Sequence, residues 1–151
     1  MPLQLAAAFL GTAAFALLFY VPARHYLSCG LTGALGWGCY LALQPALSAP
    51  EAAFCAAALA ALLSRVFAIR EKCPVTAFLI SGILPLVPGA GIYWTTYFML
   101  TGQSAEALRR GVETGKIAAA MVLAIVLVFE LPQGLFRVFG RRARPGFYRS
   151  P

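Results

Sequence analysis

The stretch Pro74 to Leu100, PVTAFLISGILPLVPGAGIYWTTYFML, decides how this chain folds. It carries no charged residue, as a segment meant for the hydrocarbon core of a bilayer requires. Drawn as one helix it would run roughly 40 Å, longer than that core is thick. At its middle stands Pro85-Leu-Val-Pro-Gly-Ala-Gly91, with Ser81 and Gly82 just before. Two prolines remove two backbone donors and clash with the carbonyls before them. Gly89 and Gly91 permit backbone conformations closed to other residues. The expected result is a broken or unwound helix. Whether it crosses the membrane or re-enters and returns stays open at this point.

Working outward, four more apolar segments predict helices of membrane-crossing length. Leu3 to Val21 is interrupted only by Gln4, Gly11 and Thr12. It lacks the basic start and the small-residue cleavage site of a signal peptide, so it is expected to be kept as a helix ended by Pro22. Leu27 to Leu43 follows, then Glu51 to about Ile69, with Ser48 and Pro50 suited to its cap and first turn. The last runs from about Ile117 to Phe136. The reading is an all-α, polytopic membrane protein of about five transmembrane helices, the fourth broken at the Pro/Gly motif. Residues 1–137 form a single transmembrane domain and residues 138–151 a basic tail.

The composition agrees. Of 151 residues 61% are hydrophobic and 11% charged, against about 45–50% and about 25% in ordinary soluble domains. The net charge of +7 invites a nucleic-acid reading. However, the basic residues lie at segment ends rather than on one face of a soluble fold, and a nucleic-acid partner is not expected. If all five segments cross, nine basic residues fall on one side, counting Arg24, Arg65, Arg70, Lys72 and the arginine-rich tail, against three on the other. The positive-inside rule then places the C-terminus in the cytoplasm. Arg24 and Arg65 are expected at the membrane surface, where long side chains reach the headgroups.

Two stretches have a distinct texture. Gly30, Ala34 and Gly38 fall on one face of the second helix, where small residues let helix backbones approach closely. Between Ser104 and Lys116, the charged residues Glu106, Arg109, Arg110, Glu113 and Lys116 share one helical stripe. Glu106–Arg110 and Arg109–Glu113 have ion-pair spacing. Glu113 and Lys116 line either a solvated face or a vestibule.

The inventory for catalysis is thin. There is no aspartate, the only histidine is His25, and Cys29, Cys39, Cys55 and Cys73 form no CxxC. Neither an enzyme nor a metal or cofactor site is expected, and the cysteines read as small buried apolar groups.

The order Val21-Pro-Ala-Arg24, the glycine-rich Cys29 to Trp37, Ser64-Arg65, and Pro85-Leu-Val-Pro-Gly-Ala-Gly-Ile-Tyr93 resembles the threonine/serine exporter family of ThrE type. It is similar in particular to the small split (YjjB-like) subunit corresponding to the C-terminal half. The resemblance covers roughly Phe15 to Pro132. It implies a two-component exporter in the bacterial inner membrane, with a larger membrane subunit as obligate partner and a higher oligomer open. It also implies export of small amino acids such as threonine and serine, or of a small dicarboxylate such as succinate, driven by the proton gradient. A non-transporting assembly or regulatory subunit is the alternative.

Transporters often hold substrate at a discontinuous helix, where backbone groups are freed. The half-helix after Gly89 would point its first amides at a substrate carboxylate. The expected substrate site is therefore Ser81, Pro85, Pro88, Gly89, Gly91, Tyr93, Thr95 and Thr96. The competing reading is a packing kink. Glu130, the one carboxylate inside an apolar span, is the candidate for proton coupling; otherwise it reaches the headgroups or pairs with Arg137.

Overall fold

The computed structural model describes residues 2–132. The proposed tail, residues 138–151, lies outside the described residues, as do Phe136 and Arg137. Six helices account for the architecture: α1 (Pro2–Leu18), α2 (Tyr26–Leu43), α3 (Ala49–Glu71), α4 (Val75–Ile83), α5 (Gly89–Leu100) and α6 (Ser104–Glu130). Short 3-10 turns at Ala23–His25 and Leu84–Leu86 link α1 to α2 and α4 to α5. No strand occurs among the described residues.

Helix boundaries follow local chemistry. The Ser48 amide donates to Glu51 Oε2 at 2.9 Å and Pro50 sits in the first turn, so α3 begins with a capping box. It ends at Lys72, which adopts a left-handed conformation with φ of 52°. The first helix stops at Leu18, short of Pro22, with Tyr20 taking the left-handed turn at φ 56°. The polar stripe and the fifth apolar segment, expected as separate stretches, form the single 27-residue helix α6. Nothing between Lys116 and Ile117 interrupts the helical hydrogen bonding there.

By length and hydropathy, α3 and α6 are long and apolar enough to cross a bilayer. The α4–α5 pair, bent by 51°, makes a third if counted as one broken span. α1, with 17 residues, reaches only about 25 Å.

The centre of the bundle is α3. Ala52, Ala53, Ala56, Ala57, Ala60 and Ala61 are all buried, and α3 packs against α2, α4 and α6. Side chains this small let three neighbours close on one axis. One core joins the alanines of α3 to Leu86, Met121 and Ala124. A second joins Ala16, Val21, Cys29, Ala68 and Phe78 around the α1–α2 turn.

On α2 the small residues divide their work. A β-carbon at Gly33 would overlap the Thr12 hydroxyl of α1, and one at Gly30 would stand 2.6 Å from the Phe9 ring. At Gly38 it would meet Leu5 at 3.1 Å, whereas Gly36 faces Ala60 of α3 at 3.4 Å. Ala34 is only half-buried. The tightest approach is thus at Gly33, outside the Gly30–Ala34–Gly38 stripe.

Helix directions follow from the contacts. α2 meets the end of α3 through Ser28 and Glu71, so those two run antiparallel. Arg65 of α3 reaches the last turn of α6, while Ser48 and Pro50 line a cleft with Ala105 and Leu108. α3 and α6 are therefore parallel. The bent α4–α5 pair carries the chain from one end of the bundle to the other, and does not return it to the end where it began.

Arg65, expected at the membrane surface, is buried instead, with 8% of its surface exposed. Its guanidinium donates to the carbonyls of Val128 and of Leu131, the latter at 2.9 Å, and lies 5.9 Å from the Phe129 ring centre. A cation there satisfies carbonyls that the end of α6 leaves free and opposes its dipole. Arg65→Met is expected to cost about 2 kcal/mol of stability in detergent-solubilised protein, while the exposed Arg70→Met changes little. Thermal unfolding of the two variants side by side checks this. Gly33→Leu should cost about 1–3 kcal/mol by overpacking, which the same assay reads.

Candidate functional site

The break between α4 and α5 is built in three steps. α4 tightens into the 3-10 turn holding Pro85, Val87 leaves the helix with ψ of 127°, and Pro88 precedes the restart at Gly89. Leu86 turns inward and anchors the break in the alanine core. The Gly89 amide donates to Val87 O at 2.7 Å and the Ile92 amide to Pro88 O at 3.1 Å. The amides of Ala90 and Gly91 open the helix with no carbonyl a full turn behind them. Gly89 and Ala90 are exposed, so the first residues of α5, at the positive end of its dipole, lie on the surface of the bundle. An anion is the group such an end receives.

The expected substrate residues divide among four environments. Pro85, Pro88 and Gly89 form the break itself, and Pro85 lines a 210 Å3 cleft with Ala7, Gly11, Thr12 and Phe15 of α1. Gly91 and Thr95 lie in the α5–α6 contact: a β-carbon at Gly91 would overlap Thr114, and Thr95 fills the space beside Gly111 at 3.2 Å. The Thr95 hydroxyl donates to Gly91 O at 2.7 Å, and Thr96 likewise bonds Ile92 O at 3.0 Å. Ser81 is fully buried in α4, its hydroxyl donating to Ala77 O at 2.8 Å. Tyr93 is 61% exposed, stacked on Tyr97 and edge-on to Trp94. The eight residues therefore do not line one cavity. What the break offers is backbone.

α5 has no buried residue and packs chiefly on α6. Trp94 and Phe98 stack at 5.8 Å, extending the aromatic surface begun by Tyr93 and Tyr97.

At the opposite end of α3 from Arg65 lies a cleft of about 690 Å3. Ser48 and Pro50 form one wall, and Arg109, Val112, Glu113 and Lys116 of α6 the other. Both charge signs line it. In the polar first turns of α6, ahead of its apolar stretch, Arg109 turns back to Glu106, with Nη2 to Oε1 at 2.6 Å and Nε to Oε2 at 3.0 Å. The spacing had suggested a forward pairing with Glu113. Arg110 adds a third bond to Glu106 at 3.1 Å. These bonds hold the Glu106 carboxyl well below the usual carboxylate range, at about 2. Its charge persists at any physiological pH, so this cluster is a fixed fork and not a proton carrier.

Glu130 ends α6 and is exposed. A different carboxylate, unmarked by any sequence pattern, is engaged by neighbouring helices. Glu71, the last residue of α3, bonds both the His25 ring at Nδ1 and the Ser28 hydroxyl at the start of α2. His25 is 2% exposed, and Arg24 Nε lies 2.9 Å from its Nε2. A carboxylate at a helix C-terminus is disfavoured by its own dipole, and Glu71 is relieved by sitting at the N-terminus of α2. Forty-six positions separate the partners, so spacing carried no sign of the pair. The available signal was the lone histidine placed directly after Pro22-Ala-Arg, at a helix start.

Comparison with known proteins gives one finding. The profile of the family described as Threonine/Serine exporter, ThrE matches residues 4–130. That covers all six helices apart from the first residues of α1. Neither the curated proteins nor the solved structures include a match. A membrane-type helical bundle of this build, matched over nearly its whole described length, belongs to the threonine/serine exporter (ThrE) family of transporters.

Proposed function

We propose that this chain is the smaller membrane subunit of a two-component exporter of threonine, serine and similar small amino acids, driven by the proton gradient. The observation that carries the reading is the exposed α5 N-terminus at the Pro85–Gly89 break, in a chain of an exporter family. Freed amides at a helix start suit the carboxylate that every amino acid carries. The mixed-charge cleft of Arg109, Glu113 and Lys116 favours a zwitterion over a dicarboxylate, since Glu113 would repel a second carboxylate.

The larger subunit is the occupant this reading assigns to the outer side of the break. One chain supplies half of a pathway: the start of α5 at its break is exposed and α5 is covered on the α6 side alone. Five crossings fit the helix directions, with α4 and α5 forming one bent passage between the ends of the bundle. Arg24, Arg65, Arg70 and Lys72 then gather at one end, which the positive-inside rule assigns to the cytoplasm together with the C-terminus. The bacterial inner membrane is the location this implies.

Co-expression with the larger subunit should raise efflux of threonine or serine from dipeptide-loaded cells above either chain alone. Efflux carried in full by the larger chain alone would make this one an assembly or regulatory subunit. Efflux of succinate in place of amino acids would move the substrate to the dicarboxylates. Replacing Pro88 and Gly89 together by alanine should reduce flux to the background of empty cells while membrane insertion stays normal. Undiminished flux would reduce the break to a packing kink.

A further inference from the structure

Of the five glutamates in the chain, four have settled or solvent-facing positions. Glu51 closes the capping box of α3, Glu106 is held by two arginines, and Glu113 and Glu130 are exposed. Glu71 differs. It joins the only histidine, itself almost fully buried, and theirs is the least exposed contact between a carboxylate and a basic side chain among the described residues.

The hydrogen bonding fixes how this pair is protonated. Arg24 Nε always carries a proton and donates it, so His25 Nε2 must be the acceptor. The ring proton then sits on Nδ1 and is donated to Glu71, while Ser28 donates its hydroxyl to the other carboxylate oxygen. In this tautomer the one ring position where a second proton can bind is occupied by the Arg24 N–H. A proton arriving at Nε2 must expel that bond and face a guanidinium, and at the same time it turns the His25–Glu71 contact into a full ion pair.

We infer that His25, seated between Arg24 and Glu71, is the proton-binding group of this chain, and that its protonation exchanges the Arg24 contact for a tightened tie between the start of α2 and the end of α3. The exchange is a proton transfer alone: water delivers a proton to Nε2, the Arg24 Nε–H···Nε2 bond breaks, and the exposed guanidinium turns to solvent. Deprotonation reverses each step. The role as coupling group rests on the proposed export function; the proton switch itself does not.

The surroundings suit such a group. The Phe78 ring of α4 meets His25 edge-on at 5.6 Å and shields it. At the same end of the bundle, the turn from Phe19 to Pro22 and the residues Cys73, Pro74, Thr76 and Ala77 line an open cleft of about 390 Å3. Among the described residues, the titratable or charged groups around the pair are Arg24 on the turn, Tyr26 and Cys29 on α2, and Arg70, Lys72 and Cys73 flanking Glu71. α1 and α4 contribute none. The second proton thus has Arg24 as its direct competitor and Glu71 as its direct support.

A single histidine makes the test direct. In the full-length protein in bilayer nanodiscs, 15N-labelled histidine gives the two nitrogen signals of a single imidazole. At neutral pH it should show Nδ1 protonated and Nε2 bare. Arg24→Gln should move the titration midpoint up, and Glu71→Gln should move it down, each by about one pH unit or more. An Nε2-protonated ring, or a midpoint that neither substitution moves, overturns the switch whether or not the protein transports. In the efflux assay, His25→Gln should flatten the pH dependence while Glu130→Gln keeps the wild-type profile. The reverse pattern transfers coupling to Glu130 and overturns the coupling role of His25. Absence of efflux from the wild-type pair overturns the exporter reading, and with it the coupling role, while the titration still decides the switch.

Discussion

Close approach of backbones to α3 is the constraint on which the rest of the structure depends. A hydrocarbon solvent gives apolar helices little reason to pack by hydrophobicity, so association relies on contact area and short separations. Six buried alanines on α3 provide both. Had leucine stood at Ala56 or Ala60, α2 and α6 would be pushed outward, and Gly36 would lose its facing surface at Ala60. The alanine core also anchors the break that the two prolines make, because Leu86 packs into it.

Polar ties then fix what small residues leave free to slide. Arg65 grips the last carbonyls of α6, and Glu71 grips the first turn of α2. Each uses a helix dipole in the favourable sense: a cation at a C-terminus, an anion at an N-terminus. In a low-dielectric setting such contacts are strong when complete and costly when half-made. Among the described residues no buried side-chain polar atom lacks a partner.

Much of this was legible in the residues. The Pro85–Gly91 break, the Ser48–Glu51 start of α3 and the Glu106–Arg110 pair follow from local rules, and local rules are what a sequence expresses. The partition of α2 glycines between α1 and α3 was not, because helical periodicity marks a face without naming the neighbour that meets it. Arg65 looked like a surface anchor because its distance from the helix end matched one; only the parallel placement of α6 puts carbonyls in front of it. Ser81 looked available beside the break, yet it belongs to the buried side of α4. The His25–Glu71 pair joins residues far apart in the chain, and no local pattern announces such a contact. Membership of an exporter family rested on motif order, which the family match over residues 4–130 supports independently.

Arg65 and Glu71 stand six positions apart on one uninterrupted helix, roughly 9 Å along its axis. A helix tilts as a stiff rod, so displacement of the α6 end is delivered to the place where Glu71 holds α2. The last two turns of α3 are in this sense a short lever arm, with one load at Arg65 and the other at Glu71.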